Sequence, residues 1–290
     1  MIANLTNDPI NRRDPAIQTD RANQTDRANR RGSAAGRSVL VSGGLPNRRT
    51  LPAQGEGRLQ CGLVHRTEDL EECFRLVYRA YRRAGLVAPN SFEQRLTYHH
   101  LLDSTDVFAT WLGDEIVSTV SMIGDGDMGL PLEKMFPVEV QSLRGLRLRM
   151  AEIGSLADRR ESPSRFLATL LDMMHLVTQA ARHRGYDGIV AAVHPRHAKL
   201  YCRLMPFQQI GSELSCDYAN GHPAVFLVAA FDWQFGSDAY RRFFGQMRPE
   251  SELVDRPWSP STVDHFQRML DRIQDEIDAE RSSSHPGQTG

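Results

Sequence analysis

The chain has 290 residues, 40% of them hydrophobic, and a formal net charge of -1. It is long enough to bury one sizeable core, and near-neutrality gives no overall electrostatic reason to expect nucleic acid as a partner. No apolar run approaches the roughly 18 residues of a membrane span and the N-terminus lacks the apolar core of a secretion signal, so no integral membrane segment and a cytoplasmic location are expected.

Residues 1–56 are rich in Arg, Asn, Asp, Gly and Pro, and the hexapeptide QTDRAN occurs twice from Gln18 to Asn29. Such a segment buries too little apolar surface to offset its ordering entropy, so a disordered basic tail is expected. Period-two alternation from Arg58 predicts a strand, followed by a helix capped by Thr67, with Leu70, Phe74, Val77 and Tyr81 on one face and Gly85 as its stop. A second helix is expected from Ser91 to Leu102. The stretch VFATWLGDEIVSTVSMI reads as a hairpin turning at Gly113 and Asp114, and GDGDMGLPLEKMFPVEVQSLRG as a loop with a short helical turn.

Another strand ends near Asp158. A strong helix follows from Pro163, with Phe166, Leu167, Leu170, Met174, Val177 and Ala181 on one stripe up to Gly185. GIVAAV is a short strand of the kind buried on both faces; a helix after Pro195 carries Leu200, Tyr201 and Leu204, and two more strands follow. The order implies an α/β (α+β) fold with a mixed sheet and helices on both faces. The domain is expected over 57–235. The remaining 236–290 form an extension with one amphipathic helix, about 261–280, capped by Ser261 and docking back on the domain. The four cysteines show no C-x-x-C pair and no matching histidines, which suggests reduced core thiols and no metal site.

One residue resists a structural reading. In RLRMAEIGSLADRR, Glu152 lies inside an otherwise apolar strand, where an unpaired carboxylate costs several kcal/mol, on the order of the penalties for buried charge. It either pairs with an arginine such as Arg75 or Arg79, or it does chemistry. Gly154 allows a bulge that points an N–H at a substrate oxygen, or simply close packing.

The segments GIVAAVHPRHAKLYCRLMPFQQIG, FRLVYRAYRRAGLV, DVFATWLGDEIVSTVSMI, GLPLEKMF and AEIGSLADR together resemble the catalytic core of bacterial long-chain N-acyl amino acid synthases. These are members of the GCN5-related (GNAT) acyltransferase superfamily and relatives of the acyl-homoserine-lactone synthases. The resemblance covers Arg58 to Phe231. It implies a GNAT-like sheet splayed between its fourth and fifth strands, LRMAEIGSLAD and GIVAAV, with a thioester donor in the cleft and no tightly bound cofactor. It also implies Glu152 as the base that deprotonates an amine, and Tyr201 as the acid that protonates the leaving sulfur.

Superfamily acetyltransferases carry a glycine-rich pyrophosphate loop after the fourth strand; here the stretch is DRRESPSR, without glycine. That departure favours the acyl-phosphopantetheine of acyl carrier protein over acyl-coenzyme A as donor. Arg159, Arg160 and Arg165 are candidate phosphate contacts, and Arg144, Arg147 and Arg149 join Arg159 and Arg160 in a cluster that steers an acidic carrier or is merely a solvated rim. Ser155 is a candidate donor or amino acid contact. His194 and His197 serve as proton or phosphate contacts or as satisfied loop histidines, and Met173, Met174 and Leu170 as an acyl tunnel or plain core. Glu133 caps or gates. The expected reaction is transfer of a long-chain acyl group from acyl carrier protein to the amine of an amino acid. The alternatives are a coenzyme A-dependent short-chain N-acyltransferase and a non-catalytic acyl-binding sensor.

Overall fold

Apolar side chains alternating from Leu59 to Val64 make β1, which pairs antiparallel with β2, Thr105–Leu112. Gly113, at φ 65°, turns the chain directly into β3, Glu115–Gly124. Strand β4, Met150–Asp158, then β5, Gly188–Val193, β6, Gln208–Cys216, and β7, His222–Ala230, complete a seven-stranded sheet in the order β1-β2-β3-β4-β5-β7-β6. Every neighbouring pair is antiparallel except β4 and β5. The computed structural model describes residues 58–159, 163–216, 219–254 and 257–283; the tail expected over 1–56 lies outside them.

Helices cover both faces. On one lies α3, Pro163–His183, with α4, Pro195–Leu204, and α5, Asp238–Phe244. Their side chains close a core with Phe108, Met122, Ile153, Ile189 and Leu227. The other face carries α1, Thr67–Arg83, where Leu70, Phe74 and Val77 meet Val107, Ala109 and Ala157, and α2, Pro137–Gly145, which brings Val140 and Leu143 against Met150, Val190 and Phe226. A short α6, Glu250–Leu253, precedes α7, Pro260–Ser283, whose Phe266 is fully buried between Phe74 and Trp258.

Several local expectations are corrected. Thr67 does not cap α1: its hydroxyl faces the Thr262 hydroxyl at 2.8 Å, and the helix begins on the Arg66 carbonyl. Ser261 does not cap α7 either. Ser259 accepts from Thr262 N through its side chain and its carbonyl, leaving Pro260 at the first helical position, where a missing N–H costs nothing. The expected helix from Ser91 to Leu102 shrinks to a 3-10 turn, Tyr98–Leu101, because the Asn90 side chain captures the N–H groups of Phe92 and Gln94 and ties that stretch into a local turn. The segment after β3 has the short helical turn expected of it, Pro131–Lys134, and in addition a regular helix, α2, where a loop is expected.

Candidate active site

The ladder between β4 and β5 is short: only Met150, Ala151 and Glu152 pair, with Gly188, Ile189 and Val190. Beyond that point β4 stays with β3 and β5 with β7, so the sheet opens into a V with Glu152 at its apex. Gly188 makes the tight end possible. A Cβ there would lie 2.5 Å from the Ala229 carbonyl oxygen and 2.7 Å from Ala230 Cα and Met150 Cε. Along β4 a bulge sets two residues, Ser155 and Leu156, against Val120 alone. The left-handed residue is Ser155, φ 51°, so the irregularity expected at Gly154 falls one position later.

Glu152 is 6% exposed, and among the described residues no arginine pairs with it. Arg75 bonds Glu72 instead. The Glu152 Oε2 accepts the Leu132 N–H at 2.8 Å from the 3-10 turn laid over this face. Burial pushes its pKa up to about 8, against the opposing pull of that single hydrogen bond. Oε1 faces Gly154, where a Cβ would meet that oxygen at 3.9 Å and nothing else within 4 Å; the missing side chain leaves open space beside the carboxyl. The turn that supplies Leu132 is fixed by Arg144, which bonds Asp125 at 2.6 and 2.8 Å and Glu133 at 2.5 and 2.7 Å, while Glu133 accepts from Leu130 N. Glu133 therefore anchors this turn.

Tyr201 stands on α4 and Tyr81 on α1, on opposite faces of the sheet. Burial, and secondarily the Tyr81 phenol, push Tyr201 up to about 12, so it stays protonated. Burial raises Tyr81 too, with Arg95 opposing and Glu152 adding to the rise. Across the strand pair Ser121 stands opposite Gly154, and its Oγ lies 3.2 Å from His100 Nε2.

The other candidate residues are dispersed. Arg159 is held by Glu72 and Glu115 beside a surface hollow of about 500 Å³ that also contains Asp69 and Asp114, which leaves it no free charge for a phosphate. Arg149, just before β4, is separated from Arg159 by the length of that strand, about 30 Å at 3.3 Å per residue over nine residues, so among the described residues these two do not share one cluster. Arg149 lies over the Tyr186 ring. Arg160 and the Arg165 side chain lie outside the described residues. Met174, with Met173 and Leu170, is packed into the main core. His194 caps α4, its Nδ1 accepting from Arg196 N at 3.2 Å, and His197 accepts from Arg196 Nε at 2.9 Å. Among the described residues no three His, Cys, Asp or Glu side chains gather as a metal site, and no helix is long and apolar enough to cross a membrane.

Two features escaped the sequence reading. The outward face of α4 presents Arg196, Lys199 and Arg203, with Leu200 among them, all exposed, starting at the end of β5 beside the opening. Their spacing of three, four and seven residues is a signal visible in sequence. The pair of His100 and Ser121 carried no such signal.

A mixed sheet with one parallel pair splayed at its centre, helices on both faces and a carboxyl at the apex defines an acyltransferase of the GNAT class. A family model described as N-acyl amino acid synthase FeeM matches residues 72–230, more than half of the chain, and the chain belongs to that family. The structure of FeeM, an N-acyl amino acid synthase from uncultured soil microbes, is 23% identical, covering 64% of this chain and 98% of that one with a TM-score of 0.54. The acyl-homoserine-lactone synthase LasI is 13% identical, covering 67% and 98% with a TM-score of 0.50. Both show the same fold. A search of curated proteins gives no match.

Proposed function

We propose that the protein transfers a long-chain acyl group from acyl carrier protein to the amine of an amino acid. The observation that carries the reading is Glu152, buried at the apex of the V with open space beside it and its pKa pushed up to about 8. A peptide α-amine has a pKa near 8 and a free amino acid ammonium about 9, so a carboxylate near 8 lies within about one unit of the proton donor and can take its proton near neutral pH. The amine nitrogen bonds to the thioester carbon, its proton passes to Glu152, the carbon–sulfur bond breaks and the sulfur takes a proton from Tyr201; Glu152 then releases its proton to solvent and Tyr201 regains one, which restores both groups. The products are an amide and the free thiol of the carrier.

Two features support a carrier protein as donor. The sequence after β4, DRRESPSR, has no glycine with which to cradle a pyrophosphate. The basic outer face of α4 suits an acidic protein surface at the entrance, a partner selected and steered by charge. Purified protein incubated with long-chain acyl carrier protein and a mixture of amino acids should release free carrier thiol and form an N-acyl amino acid detectable by mass spectrometry. Equal or faster turnover with acyl-coenzyme A, or binding of acyl carrier without amide formation, would refute the reading.

A further inference from the structure

Thr97 N donates to His100 Nδ1 at 3.1 Å, which fixes that nitrogen as an acceptor and places the ring proton on Nε2. His100 is 2% exposed, and burial, followed by the charge of Arg95, pushes its pKa down to about 3, so the ring is neutral throughout the working range. The Phe74 ring packs against it edge-on at 5.2 Å and holds its plane. Nε2–H therefore donates to Ser121 Oγ at 3.2 Å. With that lone pair engaged, the Ser121 hydroxyl proton points away from the imidazole.

Ser121 is 1% exposed and sits directly across from Gly154, so its side chain shares the face of Glu152. The space left by Gly154 is bounded by Glu152 Oε1 on one side. Directly opposed residues in a sheet lie about 5 Å apart at Cβ, which brings the serine hydroxyl and the carboxylate within reach of one small group in that space. A buried hydroxyl proton with no acceptor is costly, and here the serine has no second hydrogen-bonding partner among the described residues.

We infer that Ser121 is a catalytic residue that donates a hydrogen bond to the thioester carbonyl oxygen as it becomes an oxyanion, with His100 as its positioning residue. The inference rests on the acyl-transfer reading and adds the second half of its chemistry. As the amine nitrogen bonds to the carbonyl carbon, the C=O pair moves onto oxygen and the Ser121 O–H meets the new charge. When the carbon–sulfur bond breaks, the pair returns to the carbonyl. Ser121 keeps its proton throughout, and the amine proton goes to Glu152.

Steady-state kinetics with long-chain acyl carrier protein and an accepted amino acid test this. Ser121→Ala and Ser121→Cys should each lower kcat by about 10²–10³ at every pH between about 6 and 9, with KM nearly unchanged, the loss expected for one oxyanion donor. His100→Phe should show the same kcat-only loss. His100→Gln should restore much of the rate, because its amide accepts from Thr97 and donates to Ser121. Folded Ser121→Ala and Ser121→Cys proteins with wild-type kcat would overturn the assignment and leave the acyl-transfer reading standing. Rates recovered on cooling in step with a lowered melting temperature would mark Ser121 as structural and also overturn it. A wild-type enzyme that acylates no amine overturns both.

Discussion

Glu152 is protonated in the fold over a range in which it is ionised in the unfolded chain. Its pKa rises from 4.5 to about 8, so the folded state holds one more proton between those values and stability falls as pH climbs through that window. Glu152→Gln removes the penalty while keeping an acceptor for Leu132 N. In thermal melts the variant should match wild type below about pH 4 and exceed it at pH 8.5, by on the order of a few kcal/mol. Its activity should move the opposite way. Wild-type kcat/KM should rise with pH through about 8 as the base ionises, and the variant should lose that limb together with about 10²–10⁴ in rate, a range typical of a general base. Tyr201→Phe keeps the contact with Phe207, at 6.4 Å between ring centres, and removes only the proton. It should lower kcat by about 10² without shifting the melting temperature, and an unchanged kcat would assign the leaving-group proton elsewhere.

At the scale of single elements, the useful contrast is between Arg159 and α4. Arg159→Ala should leave the KM for acyl carrier protein unchanged and cost less than about 1 kcal/mol in denaturant melts, since its two ion pairs are solvent-accessible. Reversing the outer face of α4 with R196E, K199E and R203E should raise that KM about tenfold or more, with kcat intact and the difference shrinking as salt is added.

Much of the fold was legible because its signals are local. The Gly113–Asp114 hairpin, the apolar run of β5 and the stripe on α3 each lie within one element. The misreadings came from contacts that local patterns do not encode. The side chain of Asn90 dissolved a plausible helix, the partner of Thr67 comes from 195 residues away, and a strand of nine residues separates arginines that look adjacent in sequence. Glu152 stood out because a carboxylate violates the pattern of its strand. Ser121 did not, since a serine in a strand violates nothing, and its partner His100 falls in the segment misread as helix.

For the whole molecule, helix α1 leans on an element far along the chain. Helix α1, which carries Tyr81, packs on α7 through Phe74 and Phe266 at 5.3 Å, with His265 bonding Glu71 at 2.8 Å. Phe266→Ala should cost about 3–5 kcal/mol in denaturant melts and depress acyl transfer at temperatures where the fold itself survives. An unaffected melting curve would show that α7 only rests on α1.

The segment that kinship recognises, 72–230, therefore does not coincide with the piece that holds together. A fragment cloned to those limits would begin inside α1, forfeit the edge strand β1 and strip away the aromatic plug that α7 inserts behind the sheet. Workable boundaries for expression, or for swapping this catalytic unit between relatives, run instead from before Leu59 to the end of α7.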